Sequence, residues 1–447
     1  MVVLNTIAVV LFLALAASVL KKNGRHIVIL GWWTLMSIWA VTSCWYNDLG
    51  VENIELIRTT HTSLAATWLV GFNIVFLLGF GLVALLVGDR PLARVDYQAT
   101  RQALDLSNLR LTVYLAILLA IAYLVYSFGT GGIPVLLGID RLTYMREMAG
   151  PIERGIIMWS SVLAFILGYF KPRNSAWSIS GTLLAVLIIF AVLISAKFSL
   201  IVQLLAFYFA PVVINRTAGE NNRSFLRPRY LVLIAGAGLV LVTYAWSTYA
   251  RKLDDSELAL QLLQQRIMAN QGQIWWAVHN DISAAGRYHD AHWQAEIEGV
   301  FESSTIAYGS VGMPYLMTHM LGKAHASKLF ERGYLFTAAW PAILIVSVPY
   351  WLALLMQFLA GMLLFAILHY FYYTIRYRHT VRALIVLTVL FPYLAMLSSG
   401  YLANFFTLGM AVKVAVLFLL ELGLHRKSHP PPANSEPRLD PSVGTTH

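Results

Sequence analysis

Charge is scarce in this chain: 12% of its 447 residues are Asp, Glu, Lys or Arg, while 58% are hydrophobic. Soluble domains carry about 25% charged and about 45–50% apolar residues. A soluble enzyme, a nucleic-acid-binding module and a disordered scaffold are therefore excluded. Cysteine is nearly absent. Cys44 stands alone, which leaves no intrachain disulfide framework and no Cys-based zinc site. There is no Walker-type phosphate loop and no HExxH helix. Acidic residues are also missing from the apolar runs, apart from Glu421 near the end of the last one. Ion-coupled transport usually leaves ionisable groups in mid-span, so that class loses ground.

What the chain has in abundance is apolar length. About 20 apolar residues cross the hydrocarbon layer as a helix. Runs of this kind lie at Val2–Leu20, Ile27–Trp45, Ser63–Leu86, Leu111–Phe128, Gly155–Phe170, Trp177–Ser195, Phe198–Ile214 and Tyr230–Tyr249. After a long polar stretch come Trp351–Tyr373, Ala383–Ser399 and Tyr401–Leu420. The expectation is an all-α polytopic integral membrane protein with about eleven transmembrane helices. The first run is read as a span and not a cleaved leader, because its cations follow the apolar stretch.

Lys and Arg in the loops set orientation. With alternating spans, one side collects Lys21, Lys22, Arg25, Arg90, Arg94, Arg101, Arg110, Lys171 and Arg173. The same side takes Arg216, Arg223, Arg227, Arg229, Arg376, Arg378, Arg382, Arg426, Lys427 and Arg438. That side is expected to be cytoplasmic, with the N-terminus outside and the C-terminus inside. Counting Tyr334–Tyr350 as a further span would put the Arg376 cluster outside. Broken by Pro341 and Pro349, this segment reads instead as re-entrant or interfacial, which points to a cavity. Residues 1–424 form one membrane domain. Residues 425–447, with Pro430, Pro431 and Pro432, read as a disordered cytoplasmic tail.

Two external segments exceed a simple turn, 129–154 and 250–350, the second with its own short amphipathic helices. In Ser256–Met268, Leu258, Leu262, Leu263 and Ile267 recur at helical spacing. Cations that the charge rule disfavours outside include Arg141, Arg146, Lys197, Arg266 and Arg287. Arg binds phosphate through a planar fork of donors and Lys as a point charge. Such a set suits a phosphate-bearing, lipid-linked ligand. Trp275 and Trp276, preceded by Gln271 and Gln273 and followed by His279, Asn280 and Asp281, place flat apolar faces beside polar groups, as sugar binding requires; aromatics of an interfacial membrane belt are the equal alternative. Acid or base candidates in the segment are His279, Asp281, Glu302, His319 and Glu331, with Glu302 and His279 preferred.

Several of these stretches together resemble the Wzy-type O-antigen (oligosaccharide repeat-unit) polymerases. Phe128-Gly-Thr-Gly-Gly-Ile-Pro-Val-Leu-Leu-Gly followed by Arg141 resembles the family's approach to its first catalytic external loop. Ala196-Lys197-Phe198 is similar to its short basic tip, and Gln265-Arg266-Ile267 to the start of its larger loop. The likeness covers roughly Leu111–Tyr373. It departs at the Gly that some members carry eleven positions after the loop Arg: here Arg141 is followed by Ile152 and Arg266 by Ala277.

The resemblance implies polymerisation of undecaprenyl-pyrophosphate-linked repeat units at the periplasmic face of the bacterial inner membrane. The acceptor hydroxyl attacks the donor's anomeric carbon and the lipid pyrophosphate leaves. No metal or other cofactor is implied. Expected partners are the lipid-linked glycans, the bilayer, a Wzz-type chain-length regulator and a Wzx-type flippase, with no nucleic acid. An O-antigen ligase shares the layout, and a flippase of the same lipid-linked unit is the non-enzymatic alternative.

Overall fold

The computed structural model describes residues 1–22, 27–53, 55–56, 58–87, 106–134, 136–137, 139, 144–171, 179–194, 198–216, 243, 246, 256–285, 292–301, 310–331, 336, 340–377 and 379–428. The chain is an all-α polytopic membrane protein. Seven of the helices within these residues are long and apolar enough to cross a membrane. They are α1 (Val2–Lys22), α2 (Ile27–Asn47), α3 (Ala65–Val87), α4 (Leu106–Gly131), α5 (Pro151–Tyr169), α14 (Tyr350–Arg376) and α15 (Thr380–Ser399). Two shorter apolar helices, α6 (Ile179–Leu193) and α7 (Phe198–Arg216), pack on α5. Of the expected span Tyr230–Tyr249, all but residues 243 and 246 lie outside the described residues.

Among the described residues of the long polar stretch there are five short helices: α8 (Ser256–Met268), α9 (Asn270–Ala285), α10 (Trp293–Phe301), α11 (Gly312–Leu321) and α12 (Lys323–Glu331). Then come α13 (Ala342–Ser347) and, after α15, a single turn Leu402–Asn404 and α16 (Leu408–Ser428). Sequence reading started the last run at Tyr401 and ended the membrane domain at 424. The helix instead begins at Leu408, because Gly400 (φ 66°) closes α15 in a left-handed cap and the next turn is not continued. It also runs past 424, to Ser428.

In a lipid solvent, helices associate by close packing over small residues. The central pair α3 and α14 shows this. A Cβ on Gly79 would overlap the carbonyl of Phe358, and one on Gly361 the carbonyl of Phe76. The two helices run parallel: Trp68 and Phe72 meet Tyr350 near their starts, and Phe80 meets Phe365 further on. Gly168 of α5 likewise lies against the Tyr208 carbonyl of α7.

The bundle has two chemically different ends. At one, Asn5 at the start of α1, Asp48 just past α2 and Ser63 just ahead of α3 are joined by hydrogen bonds. At the other, the Tyr169 and Thr380 hydroxyls lie 3.1 Å apart, joining the end of α5 to the start of α15. There Arg382 pairs with Glu421 at 2.9 Å and donates to the Leu420 carbonyl at 2.6 Å, while the Tyr370 hydroxyl donates to Glu421. Lys171, Arg376 and Arg382 thus belong to one end. Lys413, the interior cation of α16, points to the Thr388 carbonyl of α15 at 3.5 Å.

The segment between Pro341 and Pro349 is the six-residue α13, every residue of it buried. It leads straight into α14, whose first residue follows Pro349. Helix Ser256–Met268 occupies the residues marked by apolar spacing, with Leu263 buried and Leu260 and Ile267 exposed.

The α3–α14 crossing gives a direct test. Gly361→Ala forces a methyl into the Phe76 backbone and is expected to cost about 1–3 kcal/mol, the usual cost of overpacking. Gly71→Ala, whose new methyl meets nothing within 4 Å, is expected to be neutral or slightly stabilising. Thermal unfolding of both variants in detergent micelles measures the difference.

Candidate functional site

The residues singled out between Arg266 and Asp281 lie on α8 and α9. These two helices fold back over the end of the bundle where α2 stops and α3 starts. α9 packs along α2 at a glycine: a Cβ on Gly272 would overlap the Cys44 backbone nitrogen and the Ala40 carbonyl. The Gly272 N–H donates to the Ser43 hydroxyl at 2.8 Å. A helix-interior glycine costs about 1 kcal/mol against alanine, and here it permits that contact. Residues 272–280 are all buried.

Trp275 and Trp276 are therefore part of the packing. The Trp275 indole N–H donates to the Ala65 carbonyl at 2.7 Å, and its ring meets Phe72 edge-on at 5.1 Å. The Trp276 N–H donates to Asp48 Oδ1 at 3.1 Å, with His61 edge-on to its ring at 5.1 Å. At 2% and 1% exposure neither indole offers a stacking face to a ligand in this conformation. Composition alone suits either a sugar platform or a membrane-belt pair. The Gly272 contact with α2 draws the whole segment inward instead.

Asp48 is the centre of this region, and it was not singled out from sequence. Its two oxygens receive the Asn5 amide (2.9 Å), the Ser63 N–H (3.1 Å), the Ala66 N–H (3.0 Å), the Trp276 indole and the Ser63 hydroxyl. Asn5 in turn donates to the Ser63 carbonyl and accepts from the Thr67 hydroxyl at 2.6 Å. Burial raises the Asp48 pKa above the ordinary carboxylate value, against the downward pull of the Ser63, Ala66 and Trp276 donors. The available signal was a lone Asp directly after an apolar run, beside an Asn near the start of another.

Arg266 lies at the rim. Its Nε is 3.4 Å from Glu55, and the side chain keeps 41% of its exposure. Gln273 donates to the other Glu55 oxygen at 3.1 Å, and Gln265 to the Glu52 carbonyl at 2.7 Å. Glu52–Asn53 and Arg58–Thr59 form a two-residue antiparallel ladder. Glu55 sits in the turn between them, so this hairpin holds the cation in place.

His279 is 7% exposed, beside Trp275 and Trp68 at centroid distances of 6.0 and 6.4 Å. Its Nδ1 is buried with no hydrogen-bond partner. Burial depresses its pKa to about 4, partly offset by Asn280, so the imidazole is neutral at pH 7. Of the remaining candidates, Glu302, Arg141, Lys197 and Arg287 lie outside the described residues. Arg146 falls in the helical turn Tyr144–Met148, ahead of Glu153, which accepts from the Gly150 N–H at 2.7 Å. Among the described residues no group of three or more His, Cys, Asp or Glu side chains could hold a metal ion.

A second buried carboxylate was also missed. Glu296 on α10 accepts the Gly312 N–H at 2.6 Å and pairs with His292 Nε2 at 3.0 Å. The His292 ring stacks on Tyr315 at 3.5 Å. Gly312 (φ 60°) lies against the Tyr401 ring, where a Cβ would collide. These contacts pin α10 and α11 to the end of α15.

With this geometry in view, a family model described as a family of unknown function (DUF6418) matches residues 307–414. The matched part takes in α11 to α15 and the first residues of α16. It leaves out α8 and α9 and covers less than half of the chain. No curated protein and no solved structure matches.

Two outcomes follow from the buried polar groups. Asp48→Asn puts an NH2 group among five donors, and leaving donors unpaired costs about 1–3 kcal/mol each. The variant is expected to lower the thermal midpoint in micelles well beyond Glu55→Gln. For His279, the folded pKa lies below the free value of about 6.5. Its contribution to stability is therefore present above pH 6.5 and lost as pH falls towards 4. The difference in thermal midpoint between wild type and His279→Gln, followed from pH 7.5 to 4, is expected to change only in that window.

Proposed function

We propose that the protein polymerises lipid-linked oligosaccharide repeat units in the Wzy manner, as a multi-pass glycosyltransferase of the bacterial inner membrane. The observation that carries the reading is the sorting of charge. Lys171, Arg376 and Arg382 gather at one end of the bundle, and the rim cation Arg266 and the buried His279 at the other. The cation-rich end is then cytoplasmic, and α8 and α9 cover the periplasmic end, where lipid-linked units are displayed.

The eleven-span arrangement fits the parallel run of α3 and α14, which requires an odd number of crossings between them. The proline-bounded α13 takes the place of a re-entrant segment and adds no crossing. Helices α8 to α12 form the large external segment of that arrangement.

In this reading Arg266, with Arg141, Arg146, Lys197 and Arg287, meets the pyrophosphate of the donor. Developing negative charge on a leaving group is stabilised by such donors. The Glu55 contact holds Arg266 ready, and the phosphate displaces it. A general base then takes the proton of the attacking hydroxyl. His279, neutral at pH 7 and with no hydrogen-bond partner at Nδ1, is the candidate for this role, and Glu302 is the alternative. No metal is needed, because the side chains bear the charge. A Wzz-type regulator and a Wzx-type flippase would be its neighbours in the membrane. A ligase, which differs in its acceptor, is the second reading, since the same rim cation serves it equally.

The test is a deletion in the host, with the lipopolysaccharide resolved on a gel. Collapse of the ladder to core plus one unit, restored by wild type and by Glu55→Gln but not by Arg266→Ala, is the expected result. Loss of every unit from the core with accumulation of long lipid-linked polymer would favour the ligase. An unchanged ladder would overturn the reading.

A further inference from the structure

Between α2, α3, α7, α14 and α15 lies a cavity of about 230 Å³, closed on one side by Gln271 at the start of α9 and by Trp340. Among the described residues that line it there is no ionisable side chain. Polarity comes instead from amides, Asn73 on α3, Gln203 on α7, Gln357 on α14 and Gln271, and from the hydroxyl residues Ser37 and Ser398. Amide groups in a membrane bundle are costly unless they have partners. Here two of them are only half used. Gln357, 1% exposed, accepts the Trp340 indole N–H through Oε1 at 2.6 Å, which leaves its Nε2 donor to the cavity. Asn73, 5% exposed, spends its Nδ2 on the Leu69 carbonyl at 2.9 Å, which leaves its Oδ1 acceptor. The indole N–H of Trp32, also on the wall, is buried with no partner.

A ligand for this space is expected to be uncharged, because no counter-charge lines it among the described residues. It must offer donors and acceptors at its edge to the amides. It must also have an apolar face, since indole and aliphatic surfaces make up most of the wall. The volume lies below the about 300–1,000 Å³ of drug-sized pockets, which restricts the fit to a single ring. We infer that the cavity binds one neutral sugar ring, with Gln357 and Asn73 as its central hydrogen-bonding residues. The choice of a sugar among neutral polyols rests on the polymerase reading, where this ring belongs to the repeat unit. The exclusion of charged sugars does not rest on it.

The inference is tested by saturation-transfer NMR on the full chain in lipid nanodiscs. The probes are glucose, galactose, rhamnose, N-acetylglucosamine and N-acetylgalactosamine, with glucuronate as the charged control and farnesol as a lipid-tail mimic. At least one neutral sugar is expected to show transfer, with none from glucuronate. Gln357→Leu is expected to weaken that binding about tenfold or more, the effect of roughly 1.4 kcal/mol. Gln203→Leu, on a less buried wall, gives the same comparison if Gln357→Leu does not fold. No transfer from any neutral sugar, or transfer that farnesol abolishes while Gln357→Leu and Gln203→Leu leave it intact, overturns the inference. The ladder assay separates this from the polymerase reading. Sugar binding with an unchanged ladder in the deletion host would sink the polymerase alone. A wild-type-dependent ladder with no sugar binding would sink the cavity assignment alone.

Discussion

Polar groups inside an apolar bundle have no water to turn to, and the fold is arranged around that constraint. Asp48 meets it most fully. Five donors from α1, α3, α9 and the lead into α3 converge on one carboxylate. The interaction is local in chemistry and long-range in sequence, since Trp276 lies 228 positions from Asp48. It ties the N-terminal helices to a segment that hydropathy alone would leave outside. The position of α9, and with it those of Gln271 and His279, depends on this anchor. The net upward push on the Asp48 pKa measures how strongly burial opposes the charge despite those donors.

Close backbone approach does the second part of the work. Gly79 with Gly361, Gly168 with Tyr208 and Gly272 with Ala40 each bring two backbones into contact. Dispersion contacts then replace the hydrophobic driving force that lipid removes. One of these contacts bears directly on the candidate site. Without the approach at Gly272, α9 would stand off α2, and Trp276 would not reach Asp48.

Hydropathy and charge made the fold class legible, because twenty apolar residues and a run of flanking cations are strong local signals. Helix Ser256–Met268 was readable for the same reason: its apolar positions recur with the helical period. The candidate site was much less legible. Trp275 and Trp276 have the composition of a sugar platform, yet burial against Phe72 and His61 depends on where α9 docks, which no local pattern encodes. Asp48 and Glu296 each look like single surface acids in the sequence. Their importance comes from donors 15 to 228 positions away for Asp48 and 4 to 16 for Glu296. The cavity amides were hidden in the same way. Asn73, Gln203 and Gln357 each sit alone in an apolar run, and only tertiary packing brings them to one wall.

The distribution of polarity divides the molecule into two environments that would suit different parts of the amphiphilic substrate proposed for it. Lys171, Arg266, Arg376 and Arg382 lie at the ends of the bundle, where water and headgroups solvate them and where the proposed pyrophosphate contact requires a cation, while Lys413 within α16 turns to the Thr388 carbonyl. Among the described residues the cavity wall offers amides, indoles and hydroxyls, which donate and accept without a field that would hold a charged ligand. A phosphate in that cavity would lose its solvation with no counter-charge, while a neutral ring would trade water for Gln357, Asn73 and Trp32. The same rule that keeps Asp and Glu out of the spans therefore selects the ligand chemistry of the interior. It also accounts for how a chain with so little charge could meet the charged lipid carrier proposed for it: Arg266 stands at the rim, and the bundle supplies shape and hydrogen bonds.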